Sequence, residues 1–120
     1  MILKDNFFTI KSQTLTSQKA DFRIKLNAEN FVYKAHFPNY PITPGVFLIQ
    51  MIIELLTSIK GRKFRINTLK NVKFTAPINP IDFPEITFSL DLSEKENLCY
   101  VKAMISENET IFAKISMVLA

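Results

Sequence analysis

An apolar segment between two helix boundaries dominates the sequence and limits what the chain can fold into. The chain contains two glycines, Gly45 and Gly61, and the apolar segment lies between them. Thr43 is predicted to be the N-cap because its hydroxyl can accept a hydrogen bond from a first-turn amide, and Pro44 suits the first helical position. Gly61 suits the left-handed residue that ends a helix. These signals predict one helix over about residues 44–60.

The predicted helix is apolar over nearly all of its surface. Its polar side chains form one narrow line of Gln50, Glu54, Thr57 and Ser58. A helix at a protein surface shows a wide polar face, so this helix is expected to be buried. It is shorter than the about 20 residues that a membrane span needs, and no membrane partner is expected. Its apolar side chains are Val46, Phe47, Leu48, Ile49, Met51, Ile52, Ile53, Leu55, Leu56 and Ile59.

The rest of the chain alternates apolar and polar residues as β-strands do. Strands are predicted at 7–10, 20–26, 66–75, 86–92, 98–105 and 111–119. A short turn or helical piece is expected at 27–31, and three closely spaced prolines predict a non-helical loop before the helix. The order predicts an α+β fold, an antiparallel sheet wrapped around one long buried helix, in a single domain of residues 1–120. Because a sheet covers one side of a helix, the remaining apolar surface favours a dimer.

Composition excludes several classes of protein. Of the 120 residues, 48% are hydrophobic and 22% are charged, which is typical of a globular domain rather than a disordered chain. The first residues lack the apolar run of a secretion signal, so cytoplasm is the expected location. One histidine and one cysteine predict no metal site, and two glycines cannot form a Gly-rich phosphate loop. Cys99 lies in a strand pattern, where we expect a buried thiol.

Basic residues are concentrated after the helix. The segment 60–73 contains six of them and no acidic residue: Lys60, Arg62, Lys63, Arg65, Lys70 and Lys73. Such a run is either a solvated face or a docking surface for an acidic partner. Nucleic acid is not expected, because the net charge is only +4 and no recognition motif accompanies it.

Two proline-rich motifs carry a family resemblance. The first is His36-Phe37-Pro38-x-x-Pro41-x-x-Pro44-Gly45-Val46, and the second is Lys73-Phe74-x-x-Pro77-Ile78-x-Pro80. Both resemble the signatures of the 3-hydroxyacyl-[acyl-carrier-protein] dehydratases of fatty acid synthesis, which have the hot-dog fold. With the matching order of elements, the resemblance covers most of the chain.

The resemblance implies an activity and its partners. In this family two protomers pair, and each active site combines a histidine of one chain with a carboxylate on the helix of the other. The substrate is a 3-hydroxyacyl thioester on the phosphopantetheine of an acyl carrier protein, and loss of water gives the 2-enoyl thioester without a metal or soluble cofactor. The acyl chain is of fatty acid, polyketide or polyene type. Assembly as a homodimer, or as a higher oligomer built from dimers, and carrier docking on Lys60, Arg62, Lys63 and Arg65 are expected.

Residue chemistry is compatible with these roles. His36 titrates near neutrality and suits the base that removes the proton beside the thioester carbonyl. Gly45 offers a first-turn amide for the oxyanion, and Val46 offers the next amide. Phe37, Pro44 and Glu54 are further candidates for substrate contacts.

One position departs from the family pattern. Gln50 stands where the family has its catalytic Glu or Asp, and Glu54 stands one turn later, where a Gln is common. Three hypotheses follow. Gln50 positions the substrate hydroxyl while His36 carries both proton transfers, Glu54 acts through a water, or the protein binds acyl chains without turnover. Glu54 is alternatively a buried carboxylate paired with a lysine or arginine across the dimer. Thioester hydrolysis is a further alternative for this fold.

Overall fold

The structure is a computed structural model, and it describes residues 2–35 and 39–120. Two strands and a short helix precede the long helix, and four strands follow it. The elements are β1 (Phe8–Leu15), β2 (Lys19–Leu26), α1 (Phe31–Ala35), α2 (Gly45–Lys60), β3 (Ile66–Phe74), β4 (Glu85–Lys95), β5 (Leu98–Glu107) and β6 (Thr110–Leu119). The predicted strands are therefore confirmed, with boundary shifts of a few residues. The predicted turn is present at residues 27–30, where the Asn30 amide donates to the Asn27 carbonyl at 3.1 Å. Helix α1 follows it, and the Asn30 side chain accepts a hydrogen bond from the Val32 amide at the start of that helix.

The six strands form one antiparallel sheet in the order β1-β2-β4-β5-β6-β3. Alternate residues of β2, β4, β5 and β6 enter a single hydrophobic core, which also contains the buried side chains of α2. Strand β3 lies at an edge, and most of its residues are exposed, including the apolar Ile66, Leu69 and Phe74. This is the predicted α+β arrangement of a sheet around a long helix. Cys99 is buried as predicted, and its burial raises the pKa of the thiol.

Only one face of α2 is fully buried within the chain. The fully buried side chains recur at helical spacing and face the sheet: Leu48, Met51, Ile52, Leu55 and Leu56. On the other side Val46 is 64% exposed, and Phe47, Ile49, Ile53 and Ile59 are half-buried. The sheet thus covers one side of the helix, as predicted, and leaves apolar side chains on the other side within a single chain. Pairing of two chains over the uncovered side stays a prediction.

The prediction for the carboxyl-terminal end of α2 is confirmed, and the prediction for its N-cap is not. Gly61 adopts the predicted left-handed conformation at φ 69°, and its amide donates to the Thr57 carbonyl. At the other end the N-cap is Pro44, the first helical residue is Gly45, and no side chain caps the helix. The prediction of Thr43 as N-cap is wrong, because the Thr43 hydroxyl is bonded to the Tyr33 hydroxyl instead.

Candidate active site

The amino-terminal end of α2 opens onto a pocket. Helix geometry leaves the amides of Gly45 and Val46 without partners inside the helix, at the positive end of the helix dipole, whereas the Phe47 amide donates to the Pro44 carbonyl at 3.0 Å. The adjoining open pocket has a volume of about 390 Å³ and is mainly apolar. Its lining comes from the loop before α2, the start of α2 and the segment after β3: Ile42, Thr43, Gly45, Leu48, Phe74, Thr75, Ala76, Pro77 and Ile78. The tertiary structure thus places parts of both sequence motifs around one cavity.

Position 45 has room for a side chain only if the Phe74 ring moves. A Cβ atom built on Gly45 would lie 2.5 Å from Cζ of Phe74 and 2.8 Å from another carbon of the same ring. The Phe74 ring therefore covers the first turn of α2 as only a residue without a side chain permits. The two motifs are further joined by the Thr43 amide, which donates to the Ile78 carbonyl at 2.9 Å. Gly45 and Phe74 together shape one wall of the pocket.

The loop that carries His36 is framed by described residues on both sides. His36 and Phe37 themselves, with Pro38, lie outside the residues that the structure describes. Tyr33 before them and Thr43 after them are buried and share a hydrogen bond of 2.8 Å between their hydroxyl groups. Burial raises the pKa of Tyr33, so this hydroxyl stays protonated at neutral pH. The Tyr33–Thr43 bond closes the ends of the loop.

The N-terminal segment, residues 3–8, supports this frame. The ring of Phe7 is fully buried, stacks on Tyr33 at 5.0 Å and meets Phe47 edge-on at 4.9 Å. It thereby links α1 to the first turn of α2. The sequence predicts a strand from Phe7 onward and no role for residues 3–6, and the only signal of this frame is the apolar character of Leu3 and Phe7.

Gln50 and Glu54 are direct neighbours on α2. Nε2 of Gln50 donates to Oε2 of Glu54 at 2.9 Å. Oε1 of Glu54 also accepts the amides of Lys4 at 2.8 Å and Leu3 at 2.9 Å, and Leu3 shares its N–H with Oε2. Among the described residues the hydrogen-bond partners of Glu54 are therefore N–H groups of its own chain, and pairing with a lysine or arginine across a dimer stays a prediction. Both side chains are half-buried.

The remaining candidate residues are divided between the two ends of α2. Val46 and Pro44 lie beside Gly45, and Val46 is largely exposed. Lys60, Arg62, Lys63 and Arg65 are exposed at the carboxyl end, about 24 Å away along a helix of 16 residues. Arg62 lies over the Phe64 ring at 3.9 Å. Within a single chain these four basic residues are thus remote from the pocket at Gly45.

Metal-binding and membrane-spanning features are both missing from the described part of the chain. Residues 2–35 and 39–120 contain no group of three or more His, Cys, Asp or Glu side chains placed to hold a metal ion. No helix among them combines the length and the hydropathy needed to cross a bilayer.

Comparison with known proteins gives the family. A family model described as ApeI-like, ApeI dehydratase, matches residues 12–114, which is most of the chain. The chain belongs to the ApeI-like dehydratase family. The match starts after the N-terminal segment, so Leu3, Lys4 and Phe7 lie outside it.

Two curated relatives carry the name 3-hydroxyacyl-[acyl-carrier-protein] dehydratase FabZ. The protein of Latilactobacillus sakei is 29% identical over 89 residues, which are 66% of this chain and 64% of the relative. The protein of Protochlamydia amoebophila is 29% identical over 93 residues, which are 72% of this chain and 60% of the relative. The chain thus spans less than two thirds of the length of these relatives.

Solved structures establish the fold. A chain of the dehydratase heterocomplex ApeI:P from Xenorhabdus doucetiae superposes with a TM-score of 0.71 at 18% identity, covering 92% of this chain and 96% of that one. The (R)-hydratase from A. caviae superposes with a TM-score of 0.60 at 15% identity, covering 90% and 98%. The six-stranded sheet around α2 is therefore a hot-dog fold, as the resemblance implied.

Proposed function

We propose that the protein is a hydro-lyase that eliminates water from a 3-hydroxyacyl thioester to give the 2-enoyl thioester. Membership of a dehydratase family supports this proposal, and the observation that carries it is the pocket at the amino-terminal end of α2. Backbone amides at such an end stabilise the negative charge that develops on a thioester carbonyl oxygen. The mainly apolar lining suits an acyl chain.

The proposed reaction divides three roles among three residues. His36 removes the proton from the carbon beside the carbonyl, and the Gly45 amide holds the carbonyl oxygen as charge builds on it. Gln50 accepts a hydrogen bond from the 3-hydroxyl, but it has no proton to give to the leaving group. His36 therefore returns the proton to that hydroxyl, water departs, and the electron pair forms the new double bond. The elimination is redox-neutral, so we propose that no cofactor takes part.

The proposal is tested by assaying the reverse reaction, which is the hydration of 2-enoyl thioesters. Purified protein is incubated with 2-enoyl thioesters of graded length, linear and polyunsaturated, and the enoyl absorbance and free thiol are followed separately. Loss of enoyl absorbance without thiol release supports a hydro-lyase, and the preferred chain identifies the substrate class. Release of thiol would instead identify a thioesterase. Absence of both reactions for every chain would overturn the proposal.

A second candidate function, the binding of acyl chains without catalysis, is favoured by one observation. Gln50 occupies the position at which the family has a carboxylic acid, so the protein is alternatively a binder of acyl chains that does not turn them over. This candidate predicts saturable binding of a carrier-bound acyl chain, measured by calorimetry, together with zero turnover. Binding that requires the acylated phosphopantetheine arm would separate it from simple charge attraction.

A substitution at Gly45 tests the role of the helix end. Gly45→Ala places its methyl group against the Phe74 ring, which is 52% exposed and free to rotate into the pocket. We expect kcat to fall by about 10-fold or more, because the ring or the methyl group obstructs the amides, while thermal unfolding changes little. The double variant Gly45→Ala/Phe74→Ala removes the clash and should recover part of the loss. Full activity of Gly45→Ala would contradict the proposed use of these amides.

Pairing through β3 would bring the remote basic residues to the pocket. Strand β3 begins directly after Arg65 and ends at Phe74 beside Gly45, and its outer edge is unpaired among the described residues. Two copies related by a two-fold axis pair such edges antiparallel. The start of the partner's strand then faces the end of this one. We therefore propose a dimer in which the basic residues of each chain flank the pocket of the other.

Carrier docking on these basic residues is tested by charge reversal. Arg62→Glu/Lys63→Glu should raise KM for a carrier-bound enoyl substrate by about 10-fold, because the acyl carrier is acidic, and leave KM for a small thioester unchanged. Lys11→Glu, an exposed site on β1 at the other edge of the sheet, is the matched control. Equal KM changes in both variants, or an equal change with the small thioester, would refute docking at this surface.

A further inference from the structure

Glu54 is the only acidic residue of α2, and the reaction described above gives it no role. We propose that Glu54 is a positioning residue that orients the side-chain amide of Gln50, so that the Gln50 oxygen is presented to the substrate hydroxyl. The inference rests on the proposed function for its chemistry and on the hydrogen bonds of Glu54 for its geometry. It also assigns the N-terminal segment a place in the active-site scaffold.

The hydrogen bonds of Glu54 permit one orientation of Gln50. Among residues 2–35 and 39–120, the groups that hydrogen-bond to the Glu54 carboxylate are all N–H donors: the amides of Leu3 and Lys4 and Nε2 of Gln50. An ionised carboxylate only accepts, so it selects the nitrogen end of a neighbouring amide. Rotation of the Gln50 amide by half a turn would place its oxygen against a carboxylate oxygen. Glu54 therefore turns the oxygen of Gln50 away from itself.

This orientation matters for the leaving group. A substrate hydroxyl that donates its proton to the Gln50 oxygen keeps its lone pairs free for the proton that returns from His36. A reversed amide would donate to that same hydroxyl oxygen, occupy one of its two lone pairs and compete with the returning proton for the oxygen. The orientation of Gln50 is therefore expected to act on kcat more than on KM.

The backbone amides of Leu3 and Lys4 also explain why the acidic side chain of α2 stands at position 54 instead of position 50. A glutamine at position 54 has one acceptor oxygen, which cannot serve both these amides and Gln50. With the carboxylate placed at 54, a second carboxylate at 50 would lie within hydrogen-bond distance of the first and repel it. A neutral amide at position 50 avoids that repulsion. The departure from the family pattern thus follows from contacts with a segment that the family model does not match.

The test is a double-mutant cycle with Glu54→Gln, Gln50→Glu and the double exchange. In Glu54→Gln the side-chain oxygen of the introduced glutamine accepts the amides of Leu3 and Lys4. Its NH₂ group then faces Gln50, whose amide must rotate to present its oxygen to that donor. We expect kcat to fall by about 10- to 100-fold, with KM and the unfolding temperature nearly unchanged. In the Gln50→Glu background no amide is left to orient, so the same change acts only by removing the proton that the two carboxyl groups share. We expect kcat to fall at mildly acidic pH and to stay unchanged at mildly basic pH, where that proton is already lost. Ser58→Ala, which alters a polar side chain one turn further along α2, is the matched control.

A loss of kcat at mildly basic pH that occurs in the natural background and is absent from the Gln50→Glu background is the result that a purely structural role for Glu54 would not give. An equal loss in both backgrounds at that pH, or no loss in either, would overturn the inference. The orientation of the Gln50 amide can also be followed without turnover, by the ¹⁵N resonance of its side-chain amide. This resonance can be assigned because the chain has only three glutamines, Gln13, Gln18 and Gln50. We expect the Gln50 resonance to move in Glu54→Gln and to stay in place in Ser58→Ala. If the wild type lacks turnover, the proposed function fails, and this resonance still decides the orientation.

Discussion

Replacement of His36 with alanine is expected to reduce the rate of 2-enoyl thioester hydration by about 10³-fold or more. General acid–base catalysis by one side chain contributes about 10²- to 10⁴-fold, and His36 is proposed to serve as both base and acid, since Gln50 cannot donate a proton to the leaving hydroxyl. The measurement is single-turnover hydration of the preferred enoyl thioester, with binding of the unreacted thioester followed separately. Binding should persist, because the acyl chain contacts the pocket rather than the imidazole.

Two controls make this result specific. Lys34→Ala changes an exposed side chain on α1, two residues before His36, and should leave both the rate and the unfolding temperature unchanged. Because the chain contains a single histidine, its imidazole proton resonances can be titrated without ambiguity. The pH at which they titrate should match the acidic limb of the kcat/KM profile. A His36→Ala variant that keeps a tenth of the wild-type rate would show that another group carries out the proton transfers.

Gln50→Glu is expected to increase the rate, by about 10²-fold at mildly acidic pH. The new carboxyl group would stand within hydrogen-bond distance of Glu54, and two carboxyl groups so close hold one proton between them rather than ionising together. The leaving hydroxyl can take that proton, whereas in the reaction proposed for the natural protein it takes its proton from His36. The measurement is a pH–rate profile of variant and wild type. Gln50→Leu, which keeps the volume without hydrogen bonding, should instead lose activity.

The same shared proton predicts how the stability of Gln50→Glu changes with pH. A carboxyl pair that retains a proton in the folded state binds more protons than the unfolded chain, so the variant loses stability as the pH rises. Its unfolding temperature should therefore fall relative to the wild type between acidic and mildly basic pH, and its rate advantage should fade over the same range. An increase in rate that is independent of pH would contradict a shared proton. A decrease at every pH would mean that a second carboxylate is not tolerated beside Glu54.

Several features of the site could be foreseen from neighbouring residues. Gly45 could be placed at the start of the long helix because prolines precede it and an apolar run follows it. The two motifs could be assigned to one site only through resemblance to a family, since they lie on either side of α2 in the sequence. Contact between Gly45 and the Phe74 ring confirms that they meet. His36 and Phe37 lie outside the described residues, so their roles stay predictions.

Other features could not be foreseen, because their partners are remote in the sequence. Thr43 has the hydroxyl of an N-cap, but the burial of Tyr33 beside it provides a stronger competitor for that hydroxyl than the first-turn amides. The sequence left several roles open for Glu54, and none of them included the amides of Leu3 and Lys4, about fifty residues away, that it binds. Backbone amides are present at every position except proline, so no pattern of side chains marks the ones that a carboxylate will choose.

The sequence by itself determined the long helix, its left-handed end at Gly61 and the alternating strands, because these depend on local conformational preference and on the period of apolar side chains. Tertiary structure alone decided which hydroxyl Thr43 binds, which face of α2 is uncovered and which end of the Gln50 amide faces Glu54. These outcomes depend on competition among donors and acceptors that only folding brings together. A local pattern specifies an element, whereas the partners of its polar groups are chosen by the packing of the whole chain.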